Sequence, residues 1–351
     1  MRGAPQLLSL GFSLTSLVAC GGDDDARPGP DAATDAPPVS VTCAADNGGI
    51  TLPAGFCATI FYDGAARARQ IAVTPMGYVF VAVPPSAAGA SDGHVLALHD
   101  ADGDGVAEQH TTFGTIGGNG IDWQSNNLFV AANDRVVRYT LMDGMMQPQD
   151  TTPAVVVGGL PDTGDHTAKT VVALGASLYV NIGSASNACQ QANRQLHSPG
   201  VDPCPELATR AGVWQFGLAT TGVEPTGTRI GTGMRNTNAL AIDPDGQALW
   251  GAINGRDQLH DNWPEKYTEA QDKILPSDEL VAVRTGVDRG WPYCYHDVNA
   301  KQMKLAPEYG GDGTAQGRCA TIDPPAVAIA AHSAPLSIAF ARGTQFPAAY
   351  Q

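Results

Sequence analysis

No two cysteines of this 351-residue sequence stand in C-x-x-C spacing, which counts against attached haem and structural zinc. Positive charge is scarce as well. Lys and Arg number 20 against 35 Asp and Glu, giving a net charge of −15 and a pI near 4.7. Such an acidic balance argues against nucleic acid or an anionic membrane surface as partner. After residue 20 no apolar stretch reaches the length needed to span a bilayer. Helical periodicity of useful length is missing too, while 41 Gly and 25 Pro punctuate short apolar runs.

What is present begins with "MRGAPQLLSLGFSLTSLVACGG". Arg2, an apolar run from Leu7 to Ala19 and small residues around Cys20 form a secretory signal, too short for a stable spanning helix. The ending "LVAC" resembles a bacterial lipobox. That implies lipidation of Cys20, a position in the cell envelope (periplasmic or outer surface), and membrane contact through the lipid alone. An ordinary signal cleaved nearby is the competing reading. Residues 1–20 are thus assigned to the signal and residues 21–41, rich in Gly, Pro, Asp and Ala, to a disordered tether. Residues 42–351 suffice for one large domain with a substantial core.

Apart from Cys20, six cysteines fall as three close pairs. In an oxidising compartment the simplest of the fifteen possible pairings is Cys43–Cys57, Cys189–Cys204 and Cys294–Cys319.

Apolar runs recur along the chain. "QIAVTPMGYVFVAV" starts at Gln70, "GIDWQSNNLFVAAN" at Gly120, "TVVALGASLYVNIG" at Thr170, "ALAIDPDGQALWGAI" at Ala239 and "LSIAFARGTQFPAAY" at Leu336. Each is a strand, a polar or Gly/Pro turn and a second strand, and the first three are about 50 residues apart, a four-stranded blade period. Another unit is expected around "DELVAVRTGVDRGWPYC". The pattern predicts an all-β, six-bladed propeller of four-stranded blades, the last incomplete; an uneven all-β hairpin architecture is the alternative. Propellers hold ligands where loops converge at the channel mouth. His166 in "GDHTAK", and Arg235, Asn236 and Asn238 in "GMRNTNALAI", each fall just ahead of an expected innermost strand.

The ordered strings "HTAKTVVALGASLYVNIGSASNAC", "GMRNTNALAI", "INGRDQL", "SDELVAV", "GWPYCY" and "AHSAPLSIAF" resemble the soluble quinoprotein sugar dehydrogenases. The similarity is greatest to their sorbosone dehydrogenase-like branch, β-propellers that use pyrroloquinoline quinone (PQQ) and calcium. The resemblance covers most of residues 50–351. It implies that His166 is the general base, a role suited to an imidazole titrating near neutrality; Asp165 beside it would orient the ring or raise its basicity. It implies that Arg235 and Asn236 grip the quinone, Arg235 stabilising negative charge as the ring is reduced, and that Asn238 makes a further amide contact. The backbone carbonyls of Gly255 and Arg256 would bind Ca2+. For Arg235 and the asparagines, a salt bridge and turn closure are the bland alternative.

Other residues are more ambiguous. Asp257, Asp278 and Glu279 either hold this loop or a second ion, or are solvated. "DADGDGVAE", from Asp100 to Glu108, begins like an EF-hand loop but has Thr111 at position twelve, so a hairpin turn is the simpler reading. His332 either lines the substrate mouth or is buried, and Trp291 reads as core.

The sequence ends at Gln351, where the resemblance implies a further blade carrying basic residues for the cofactor carboxylates. A fragment or a decayed copy is therefore expected. The leading function is oxidation of a sugar or sugar aldehyde, with electrons passed to a separate acceptor. A non-catalytic propeller that binds glycans or proteins is the alternative, and a calcium-dependent lactonase a third.

Overall fold

The first four hairpin units each become one blade. In the first, β1 (Ile71–Val73), β2 (Val79–Val83), β3 (His94–His99) and β4 (Gln109–Phe113) pair in sequence order. The second has β5 (Gly120–Gln124), β6 (Asn127–Ala131), β7 (Val136–Thr140) and β8 (Ala154–Val157); the third has β9 (Val171–Leu174), β10 (Ser177–Ile182), β11 (Gly212–Gly217) and β12 (Thr228–Thr232). Blade four begins with β13 (Ala239–Ile242), β14 (Leu249–Ile253) and β15 (Asp278–Val283). The chain then leaves the blade. It adds β16 (Val287–Asp288) parallel to β12, forms the hairpin β17 (Cys294–Asp297) and β18 (Gln302–Leu305), and returns with β19 (Val327–Ile329) against β15. This computed structural model describes residues 41–218, 227–246, 248–341, 346, 347 and 350, so the signal, Cys20 and the tether up to residue 40 lie outside the described residues.

The all-β propeller expectation holds, but the blade count does not: four blades form among the described residues, not six. "DELVAV" is β15, the third strand of blade four, and starts no new unit. Residues 254–277 and 284–326, inserted on either side of β15, take up the chain length that the spacing assigned to another blade. The unit at Leu336 has no strand among its described residues, although Ser337, Ile338 and Ala339 line the central channel beside β1 and β13.

The strand "VFVAV" is apolar on both faces because Phe80 and Ala82 face blade two, while Val81 and Val83 pack against Phe61, Tyr62 and Ala65 of the segment ahead of β1. Phe80, Val95 and Phe113 of blade one meet Leu128, Val137 and Tyr139 of blade two. Phe129 and Val157 meet Leu178, Val180 and Trp214 of blade three, and Val213 and Ile230 meet Leu240, Leu249 and Val281 of blade four. The two-residue β5–β6 turn places Ser125 and Asn126 at φ 50° and 61°, the primed-turn conformation that matches strand twist. Gly120 permits the close approach of β5 to blade three, since a Cβ there would lie 2.7 Å from Thr170 Cα. The disulfides Cys43–Cys57, Cys189–Cys204 and Cys294–Cys319 all form.

Candidate active site

A polar residue precedes each innermost strand: Gln70, Asn119, Thr170 and Asn238, all buried. They knot together at one end of the channel. Gln70 Nε2 donates to the carbonyls of Asn238 (2.8 Å) and Leu336 (2.7 Å) and to Thr170 Oγ1 (3.1 Å). Thr170 Oγ1 donates in turn to the Asn238 carbonyl at 2.5 Å. Gln70 also lines the central channel, a space of about 520 Å³ between the blades. Asn238 and Leu336 instead line a cleft of about 290 Å³, shared with Arg69, Pro84, Pro85, Asn119, Asn133 and Ala168.

His166 lies on the loop ahead of β9, which Lys169 fastens by donating to the carbonyls of Pro161 (2.8 Å) and Thr167 (2.5 Å). Its Nδ1 is 3.0 Å from the Ser184 carbonyl and 2.9 Å from Ser184 Oγ. The hydroxyl already donates to the Ser186 carbonyl at 2.7 Å, so both Ser184 oxygens act as acceptors. Nδ1 must therefore carry the proton, which leaves Nε2 with the lone pair. Burial, reinforced by the Arg235 charge, lowers the pKa of His166 to about 4, so the ring is neutral at ordinary pH. Asp165 does not orient the imidazole: its carboxylate is bound by Arg194 Nε at 3.0 Å and by Asn193 Nδ2 at 3.1 Å.

Arg235, ahead of β13, is 4 % exposed. Nε donates to the Asn187 carbonyl (3.1 Å); Nη1 donates to the carbonyls of Asn254 (3.3 Å) and Gly255 (2.6 Å). Nη2 donates to Asn187 Oδ1 and Asp257 Oδ2, both at 3.0 Å. All five N–H groups are engaged by protein acceptors. The sequence reading has an open clamp here; the structure has a saturated one. Burial lowers the Arg235 pKa to about 10, which leaves it charged, and Asp257 supports that charge. Burial opposes ionisation of Asp257, but Arg235 and Arg194 outweigh it and hold the carboxyl below its ordinary value.

Asn236 is buried and donates from Nδ2 to Asn254 Oδ1 at 3.0 Å, while its Oδ1 has no partner. A buried acceptor left open costs about 1–3 kcal/mol, which a ligand donor would recover. Gly183 separates Asn236 from His166: a Cβ there would lie 2.6 Å from His166 Cβ and 2.9 Å from Asn236 Oδ1. The bare backbone lets the two candidate groups sit side by side. An unpartnered acceptor, an imidazole with Nε2 open and a cradle that a methyl group would fill are compatible with a polar ring-shaped ligand such as PQQ.

The Gly255–Arg256 loop is tightly held. Asn187 Nδ2 donates to the Asp257 carbonyl at 2.9 Å, and Gly255 N–H donates to Asp278 Oδ1 at 2.7 Å. Asp278 also accepts from Ala334 N–H, and Glu279 pairs with Arg289, so these acids hold structure. Arg256 pairs with buried Glu308. For Ca2+ the donor chemistry is right, carbonyl oxygen, but the Gly255 oxygen already accepts the Arg235 guanidinium and has one lone pair left. His332 is 38 % exposed, donates from Nε2 to the Asp272 carbonyl (2.7 Å) and lies 3.6 Å from Asp257. It is a rim residue, not a buried one. Trp291 packs on Cys189 and Cys204 and donates to the Asn187 carbonyl at 2.9 Å. On the β3–β4 turn, carboxylate oxygens of Asp100, Asp102, Asp104 and Glu108 lie within 4.8 Å of one another, and those of Asp100 cap Gly103 and Gly105.

Sequence reasoning missed Ser184, Asn187, Arg194 and Arg69. Ser184 and Asn187 stand inside the quoted string "NIGSASNAC", but nothing in the string says that both turn toward the next blade. Arg69 immediately precedes Gln70, the first residue of the first repeat unit, and that position was its one available signal.

Comparison with known proteins places this geometry in context. Residues 50–350 match the TrAA12-like family model. No curated protein sequence matches the chain. Among solved structures, the iodide structure of Carbohydrate-Active Enzymes Family AA12 from Trichoderma reesei superposes with a TM-score of 0.62 at 18 % identity, over 80 % of this chain and 71 % of that one. The calcium structure of the same fungus's AA12 protein gives 0.61 at 20 % identity, over 79 % and 71 %. The holo PQQ domain of pyranose dehydrogenase from Coprinopsis cinerea gives 0.63 at 17 % identity, over 81 % and 70 %. At these identities the superpositions establish a shared propeller fold. The match to the family model spans most of the chain, and the chain belongs to the TrAA12-like family.

Proposed function

We propose that this chain is a PQQ-dependent oxidoreductase that oxidises a sugar or sugar aldehyde, of the aldose or sorbosone type. The observation that carries the reading is the state of His166. Its Nδ1–H is held by Ser184, so Nε2 is a free base, and its low pKa keeps it unprotonated at neutral pH. The fold shared with a holo PQQ domain and the family match support the cofactor.

When bound, PQQ supplies a two-electron acceptor for hydride. His166 Nε2 takes the proton of the substrate hydroxyl as that carbon is oxidised. Asn236 Oδ1 and Asn238 offer amide contacts to the ring. Arg235 contributes a fixed positive charge beside them, and any direct contact to the quinone oxygens would exchange one of its five bonds. Ca2+ at the Gly255 and Arg256 carbonyls belongs to the same reading, sharing the Gly255 oxygen with Arg235. Electrons would leave to a separate acceptor. Lipidation at Cys20 would hold the protein in the bacterial cell envelope.

Saturation of Arg235 favours a second reading, a non-catalytic propeller that binds glycans or proteins. Calorimetric titration with PQQ separates the two. Saturable micromolar binding, weakened in Asn236→Ala, supports the oxidoreductase; sugar binding with indifference to PQQ supports the second.

A further inference from the structure

The arginines around the channel mouth differ in one respect: all but one are engaged. Arg67 pairs with Asp92, Arg194 with Asp165 and Asp257, and Arg235 with Asp257. Arg69 is exposed, and among the described residues its guanidinium meets no acceptor. The side chain lines the cleft of about 290 Å³ with Asn119, Asn133 and Asn238, the rest of the wall being Pro84, Pro85, Ala168 and Leu336. This volume is at the lower bound for small-molecule sites, enough for one or two six-membered rings.

We propose that Arg69 binds a carboxylate in this cleft. A guanidinium presents paired N–H groups that match the two oxygens of a carboxylate, and in a concave site that contact is stronger than on an open surface. The three neighbouring amides both donate and accept, as hydroxyl-rich or heteroaromatic ligands require. Two sources supply such a carboxylate: an anionic sugar substrate of the uronate kind, or the quinone cofactor. The location of the cleft at the catalytic face rests on the function proposed above; the anion chemistry of Arg69 does not.

The test is calorimetric titration of the full chain, as wild type, Arg69→Gln and Arg69→Lys, with PQQ, with glucuronate and with glucose. Arg69→Gln should lose about 10- to 100-fold in affinity for one carboxylate ligand, with glucose binding unchanged. Arg69→Lys should recover part of the loss, because it restores the charge without the paired geometry. A loss confined to glucuronate assigns the carboxylate to the substrate; a loss confined to PQQ assigns it to the cofactor. Equal binding of both carboxylates by wild type and Arg69→Gln, or binding of neither by wild type, overturns the proposal. Wild type that ignores PQQ yet binds glucuronate through Arg69 would sink the oxidoreductase reading and leave this one standing.

Discussion

The backbone N–H of Ser184 donates to the carbonyl oxygen of Arg235 at 2.7 Å. The same Ser184 receives His166 Nδ1 on its carbonyl and hydroxyl oxygens. One residue just past the end of β10 therefore links the imidazole from the loop before β9 to the main chain of Arg235 before β13. This places the Arg235 charge where it disfavours protonation of His166.

A pH profile follows from that coupling. Folded His166 takes its proton only below about pH 4, whereas an unfolded imidazole does so below about 6.5. The base is available throughout the neutral range, so the acid limb of kcat/KM assigned to it should fall near pH 4. A limb near 6.5 would show that the ring is not shielded. The stability linkage has a definite sign. Between these values the unfolded chain binds the extra proton, so stability from this group is complete above about pH 6.5 and declines as pH falls toward 4.

Arg235→Ala should destabilise the fold by about 3–5 kcal/mol, because it takes a donor from the buried Asn187, Asn254 and Gly255 acceptors, while Asp257 keeps Arg194. Denaturant unfolding measures this directly. Arg235→Lys keeps the charge but not five directed N–H groups and should fall between. A loss below about 1 kcal/mol for Arg235→Ala would mean that the saturated geometry contributes little.

Gly183→Ala would force a methyl group to within 3 Å of both His166 Cβ and Asn236 Oδ1. We expect a stability cost of about 1–3 kcal/mol from crowding and a larger proportional loss of PQQ affinity, since the two candidate contacts are pushed apart. Unchanged affinity in a folded variant would show that they do not act on one ligand.

Removing the Cys189–Cys204 bridge, with Cys189→Ala and Cys204→Ala together, opens a loop of 15-residue separation. The chain-entropy estimate is about 3 kcal/mol. The loop carries Arg194, which holds Asp257, so the variant should melt earlier and bind PQQ more weakly; an unchanged melting temperature would contradict the role given to this staple.

The blades were legible in sequence because strand alternation and turn residues are local signals. Ile71, Gly120, Val171 and Ala239 begin inner strands within a residue of where the repeat places them. The blade count was not legible. Nothing local distinguishes "DELVAV" as a third strand from a first one; only its pairing with β14 decides. His166, Arg235, Asn236 and Asn238 were placed at one channel mouth because each precedes an inner strand. What surrounds them was hidden for the same physical reason: Asn187 is 48 residues from Arg235 in sequence, and its two bonds to that guanidinium exist only after blades three and four have packed.

The most direct measurement is reduction of an artificial dye by the full chain supplied with aldoses or aldosones, before and after addition of PQQ and calcium, in wild type and His166→Ala. The account expects turnover that depends on PQQ and falls by at least about 100-fold without the imidazole. Wild type that stays inactive with PQQ bound, or His166→Ala that turns over at the wild-type rate, would contradict it.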